Sequence, residues 1–266
     1  MILAFMVAII FSSFSSAHAS DIEISEKSFF DFKDPVFYII MTSILIIIIT
    51  IVLLIVDQNF AEHYKKIIFG LIVFPVILST LFLAGNTIYE NVISETGGPV
   101  HWHADYQVWA CGERLNLIDP NFPRNKIGTP LLHEHNDDRV HVEGTPKKIE
   151  DVSFQNYFKV IGGELSSYKL SYPIEEGLKT YNSGDSCPDG TIGRLNVYVN
   201  GQRLEDFESY VPYPDSLVPP GDCVIVEFSP GNSQTTEKIC ESWKANNWNY
   251  DNYQRREITI GSHTWK

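Results

Sequence analysis

Two short stretches of this sequence concentrate the residues able to do chemistry. HWHAD runs from His101 to Asp105, and LLHEHNDDRVHVEG runs from Leu131 to Gly144. Of the chain's 8 histidines, His101, His103, His133, His135 and His141 lie in them, beside Asp105, Glu134, Asp137, Asp138 and Glu143. Alternate side chains of a strand point the same way. His101 and His103 therefore share a face, with Asp105 next along it. His133 and His135 share a face on a second segment. Asn136-Asp137-Asp138 then supplies turn chemistry, and His141 and Glu143 share a face of the returning strand. Three strands, two of them expected to form a hairpin, thus present their chemistry in pairs.

That spacing is what a metal site on a sheet requires. An H-x-H pair offers two imidazoles to one ion, and a neighbouring strand adds a third ligand. Three histidines, with or without a carboxylate, suit a divalent transition metal: Zn²⁺ or Cu²⁺ first, then Ni²⁺, iron or manganese. Paired histidines on a strand also occur as solvated residues, or hydrogen-bonded to acids such as Asp105 and Glu134. Two H-x-H pairs followed by H-x-E favour the metal. The 3 methionines are Met1, Met6 and Met41, all upstream of both clusters. A methionine-rich Cu(I) carrier and a blue-copper centre with an axial Met are therefore disfavoured. Cupins and carbonic anhydrases also place H-x-H on a strand. Cupins put their glutamate sooner after it than Glu143 stands here, so that family is not assigned. The candidate ligands are His101, His103, His133, His135, His141 and Glu143.

Other segments decide where such a site sits. Met1–Ala19 has an apolar run followed by Ala17-His18-Ala19, the pattern of a signal peptide or an uncleaved N-terminal anchor. Val36–Val56 and Ile67–Tyr89 are each long and apolar enough to cross a bilayer as a helix. The short loop expected between them carries Lys65 and Lys66, which places it in the cytoplasm and the region from Gly97 outside the cell membrane. Neither span contains Lys, Arg, Asp or Glu, so the spans read as anchors rather than a transport path.

The chain carries 20 Lys and Arg against 33 Asp and Glu, a net charge of −13. That argues against nucleic acid as a partner, because such surfaces cluster Lys and Arg. All 4 cysteines, Cys111, Cys187, Cys223 and Cys240, lie after Gly97. An even number in an oxidising compartment reads as disulfides rather than thiolate ligands. Three pairings are open. Cys223–Cys240 is the first choice, joining a strand to the helix after it, with Cys111–Cys187 as the other.

Within 97–266 the pattern is mostly β, in an α+β mixture with hairpins and one or two short helices. Trp102–Ala110 alternates as a strand. Leu195–Val199 ends in Asn200-Gly201, a strong hairpin signal, and Cys223–Phe228 is a short apolar strand. Ser153–Ile161 reads as a helix, stopped by Gly162-Gly163. A second helix is expected near Thr235–Ala245. QVWACGERL and NVYVNGQRL echo one another as strand, glycine turn and Arg-Leu.

The order HWHAD, GTPLLHEHNDDRVHVEG, amphipathic helix, VNG and GDCVIVEF resembles an uncharacterised group of prokaryotic, largely archaeal, membrane-anchored ectodomains. The resemblance covers roughly Val100–Phe228 and implies no activity. From LNVYVNG to GDCVIVEF the chain also resembles the strand arrangement of β-grasp modules. The expected function is a membrane-anchored extracytoplasmic metal-binding protein for acquisition, buffering, sensing or delivery. The alternatives are a metalloenzyme, with three histidines holding the ion and Glu143, Glu134 or Asp105 as base or orienting group, and a structural or assembly subunit of a membrane complex.

Overall fold

The computed structural model describes residues 35–121, 123–218, 221–230, 238–248 and 257–265. The expected signal segment, Met1–Ala19, lies outside the described residues. Two helices come first, α1 (Pro35–Ile55) and α2 (Gln58–Ile93). Both are long and apolar enough to cross a membrane, and neither apolar stretch is buried against protein. Ser43 and Thr50 of α1 return their hydroxyls to the carbonyls of Ile39 and Ile46 one turn back, so these two polar groups are satisfied within the helix.

The loop expected between the spans is instead helical. Only Val56 and Asp57 lie between the helices, and Gln58–Lys66 forms the opening turns of α2. Ala61, Glu62, Lys65 and Lys66 are good helix formers. Glu62 pairs with Lys65 a turn later, and the Asp57 carbonyl accepts the N–H groups of Phe60 and Ala61.

The described chain divides into two compact units, with Ile77–Lys266 as the second. Within that unit the last turns of α2 are tied to the segment after the histidine strands. Glu90 pairs with Lys147 at 3.3 Å. The buried Ser94 donates to the carbonyl of Pro146 at 2.6 Å, and the Glu95 carboxylate accepts Ile149 N–H at 2.7 Å.

The main sheet has 8 strands. They are β1 (Val100–Ala110), β2 (Glu113–Leu115), β3 (Ile127–Gly128), β4 (Leu132–Glu134), β5 (Arg139–Gly144), β9 (Arg194–Val199), β10 (Gln202–Leu204) and β11 (Asp222–Ser229). The order is β10-β9-β11-β1-β5-β4-β3, with β2 also on β1. The central pair, β1 and β11, is parallel. Along its other edge β1 pairs first with β5 and then with β2. A smaller sheet holds β6 (Glu164–Leu165), β7 (Lys169–Ile174) and β8 (Gly177–Asn182), and β12 (Ile258–Ile260) pairs with β13 (His263–Trp265).

The two echoing sequences are both two-residue hairpins. Cys111-Gly112 and Asn200-Gly201 each take positive φ at both positions, the conformation that joins twisted strands most tightly. The expected first helix is α3 (Phe154–Val160), capped by Ser153, whose hydroxyl accepts Asn156 N–H. The second is shorter than expected. Among the described residues only Glu241–Ala245 (α4) is helical, beginning after the extended Cys240, while Thr235–Glu237 lie outside the described residues.

One face of the main sheet builds the core. Trp102, Ala104, Tyr106, Val108, Val140, Val142 and Leu132 pack there with Phe154, Tyr157 and Phe158 of α3 and with Leu165, Leu170 and Tyr172. The reverse face is divided. Over β11 it is covered by Cys240 and Trp243 of the α4 region, packed on Cys223, Ile225, Trp109 and Tyr198. Over β1, β5 and β4 it carries the histidines. Both expected disulfides are present, Cys111–Cys187 and Cys223–Cys240, each with Cα atoms 5.6 Å apart. No cysteine is free to ligate a metal.

Candidate metal centre

Strand register assembles the cluster. His141 of β5 lies opposite His103 on β1 and opposite His133 on β4, so three histidines form one row across three neighbouring strands. His101 lies opposite Glu143 in the adjacent row. The core-facing residues Trp102, Val142 and Leu132 line up in between, which locks the register, because a one-residue slip would turn that apolar row to the other face. His135 follows β4 directly. Asn136 and Asp138 take positive φ there, as Asn and Asp tolerate, and turn the chain back into β5.

Two triads result, His101–His103–His141 and His133–His135–His141, each with its ligand atoms within 4.8 Å of one another. Tetrahedral ligands on bonds of about 2.0–2.2 Å lie about 3.3–3.6 Å apart. The closest contacts already have that scale. His101 Nε2 is 3.1 Å from both His103 Nε2 and Glu143 Oε1. Glu143 Oε2 is 3.8 Å from His133 Nε2.

His133 is the most unusual member. Its residue is 0% exposed, and among the described residues neither ring nitrogen has a hydrogen-bond partner. Its ring stacks on His141, with centroids 5.5 Å apart. Leaving a buried polar group unsatisfied costs about 1–3 kcal/mol, so such groups in native proteins call for a role. Burial holds His133 down to about 4, with the charge of Lys126 adding to it. At His103 burial and then the neighbouring His141 and His101 also lower the value to about 4. Both rings are therefore neutral at pH 7 and keep a lone pair for a metal.

The other rings are oriented by outer partners. A carbonyl oxygen only accepts, so the 2.7 Å contact between His135 Nδ1 and the Asn125 carbonyl fixes the proton on Nδ1 and leaves Nε2 as donor to a metal. Asp137 lies 3.1 Å from His141 Nε2. Burial pushes its carboxyl up, but His141, Arg139 and His135 outweigh this and hold it below its ordinary value. Arg139 in turn bonds Asp105 at 2.6 Å and Asp137 at 3.2 Å, and Asp105 accepts the hydroxyl of Ser242 on α4.

Of the three acids considered as base or orienting group, Glu143 alone contacts the histidine nitrogens. Glu134 faces the core side, where its carboxylate accepts Asp137 and Asp138 N–H at 2.5 and 3.1 Å and so shapes the turn. Burial raises its pKa. Asp105 is engaged by Arg139 and Ser242. From its place in Asn136-Asp137-Asp138, Asp137 is expected to serve the turn alone. Its place four residues before His141, across a tight turn, was the available signal for its second role. The Asn125 carbonyl is a backbone group and left none.

No family model, curated protein or solved structure matches this chain. The chemistry of the site rests on its own geometry.

Proposed function

We propose that this chain is a membrane-anchored, extracytoplasmic metal-binding protein whose histidine cluster takes a divalent ion, zinc or copper, for acquisition, buffering, sensing or delivery. The observation that carries this reading is His133: fully buried, neutral, without a hydrogen-bond partner among the described residues, and set in a row with His141 and His103. A ligand role explains its burial. A solvated surface histidine would have no reason to be there. Both disulfides support an oxidising compartment, and they leave nitrogen and oxygen as the donors. Lys65 and Lys66 between the apolar runs support a cytoplasmic turn and an external strand-rich unit. The two apolar helices supply the anchor, and the acidic net charge favours cations over nucleic acid.

The test is metal retention by the full chain in detergent. After exposure to zinc and removal of excess, the protein retains metal at stoichiometric levels, and His103→Ala combined with His135→Ala abolishes retention. Stoichiometric metal in that double variant overturns the reading.

A further inference from the structure

We propose that the cluster holds two divalent ions side by side, one on the outer pair His101–His103 and one on the enclosed set His133–His135–His141, with the Glu143 carboxylate bridging them. This rests on the metal-binding reading above and extends it from a site to a two-ion centre with unequal positions.

The row geometry is the first support. Neighbouring strands lie about 4.8 Å apart, so the backbones of His103 and His133, on either side of β5, are separated by about 9–10 Å. That spacing sets His103 and His133 on opposite sides of His141 rather than against one another. The described ligand atoms fall into two triads that share His141 and divide the remaining four histidines between them.

Glu143 is the second support. Its two carboxylate oxygens face different triads, Oε1 at 3.1 Å from His101 Nε2 and Oε2 at 3.8 Å from His133 Nε2. A carboxylate placed in that way bridges two ions at the separation of about 3.5–4 Å found in two-metal sites.

The two positions differ in enclosure. His133 is 0% exposed, while the His101 side chain is 61% exposed. The enclosed set also has the outer partners, with the Asn125 carbonyl on His135 and Asp137 on His141. Three histidines and Glu143 Oε2 complete a tetrahedral set for the inner ion. His141 is assigned to it because that triad contains the buried His133. Two histidines and Glu143 Oε1 leave the outer ion to be completed by solvent. The inner ion is held tightly, and the outer one exchanges with the medium.

Titration of the metal-stripped full chain with Cu²⁺, followed by electron paramagnetic resonance, tests this. The first equivalent gives the signal of an isolated ion with nitrogen ligands. The second reduces or broadens it through coupling to its neighbour. Gel filtration of the zinc-saturated protein, which starts at two ions per chain, removes one. Glu143→Gln, a half-exposed and near-isosteric change, removes a charged ligand from both positions: it weakens the outer ion about ten-fold or more, weakens the inner ion less because His133, His135 and His141 still hold it, and removes the coupling. Saturation at one ion per chain overturns the two-ion proposal while leaving the metal-binding reading intact. So does a second ion that neither couples nor responds to Glu143→Gln. Failure to bind any ion overturns both.

Discussion

One face of the main sheet is finished in two different ways. Over β11 and the second half of β1 it is covered by Trp243, Cys240 and Ile239, stapled through Cys223. Over β4, β5 and the first half of β1 it presents five histidines and a glutamate. The same strand, β1, supplies Trp109 to the first zone and His103 to the second. The first zone buries apolar surface and closes a covalent loop, and both stabilise the fold. The second buries imidazoles, which destabilises the metal-free fold unless something binds them. A surface selected for stability alone would continue the aromatic cover across β5. On the proposed reading, the histidine zone is where stability is exchanged for ligand chemistry.

Breaking the covered zone gives the largest effects. Trp243 is fully buried, and Trp243→Ala costs about 3–5 kcal/mol. Replacing Cys223 and Cys240 by serine opens a loop with a sequence separation of 17 and costs about 3 kcal/mol on the chain-entropy account. Urea unfolding followed by circular dichroism reads both losses. In each variant, under conditions where it is folded, metal retention is unchanged, because this zone supplies no ligand. Loss of metal from the folded variants would join the two zones into one.

Changing the histidine zone gives a smaller effect of the opposite sign. His133→Leu removes from a buried place two nitrogens without a hydrogen-bond partner among the described residues. It raises the stability of the metal-free protein by about 1–2 kcal/mol while abolishing retention of the inner ion. Its pH dependence follows from His103 and His133, held down to about 4 against an ordinary 6.5. Unfolding frees both to take up protons, so these groups make the metal-free protein lose stability as pH falls from 6.5 towards 4, and add no further loss below that. In His133→Leu only the His103 share of that acid sensitivity remains. Unfolding of chelator-treated protein at pH 7 and pH 5 measures both effects. A leucine variant less stable than the parent at pH 7 would return His133 to a structural role.

Local chemistry was the legible part of this molecule. The alternation around Tyr106 marked β1, Asn200-Gly201 marked the β9–β10 hairpin, and Ser153 with Gly162 bracketed α3. Chain order suggested both disulfides, because Cys223 and Cys240 lie on consecutive elements. The strands β7 and β8 were not read. Pro173 interrupts the first, and β8 is exposed along nearly its whole length, so neither shows a buried alternating pattern. The opening turns of α2 were hidden because polar residues there continue an apolar helix. For the candidate site, alternation revealed which histidines share a strand face. It did not reveal that His103, His141 and His133 align across three strands. That depends on register, which the turn at Asn136–Asp138 and the packing of Trp102, Val142 and Leu132 set together. The core-facing direction of Glu134 has the same origin.

The central claim is that several imidazoles of this cluster bind one kind of metal ion directly. X-ray absorption at the zinc edge of the zinc-loaded full chain tests it most directly. The account predicts nitrogen and oxygen scatterers at about 2.0–2.1 Å, a multiple-scattering pattern from two or more imidazoles per ion, and no sulfur at about 2.3 Å. Sulfur in the first shell, or an ion coordinated without imidazole, would contradict it.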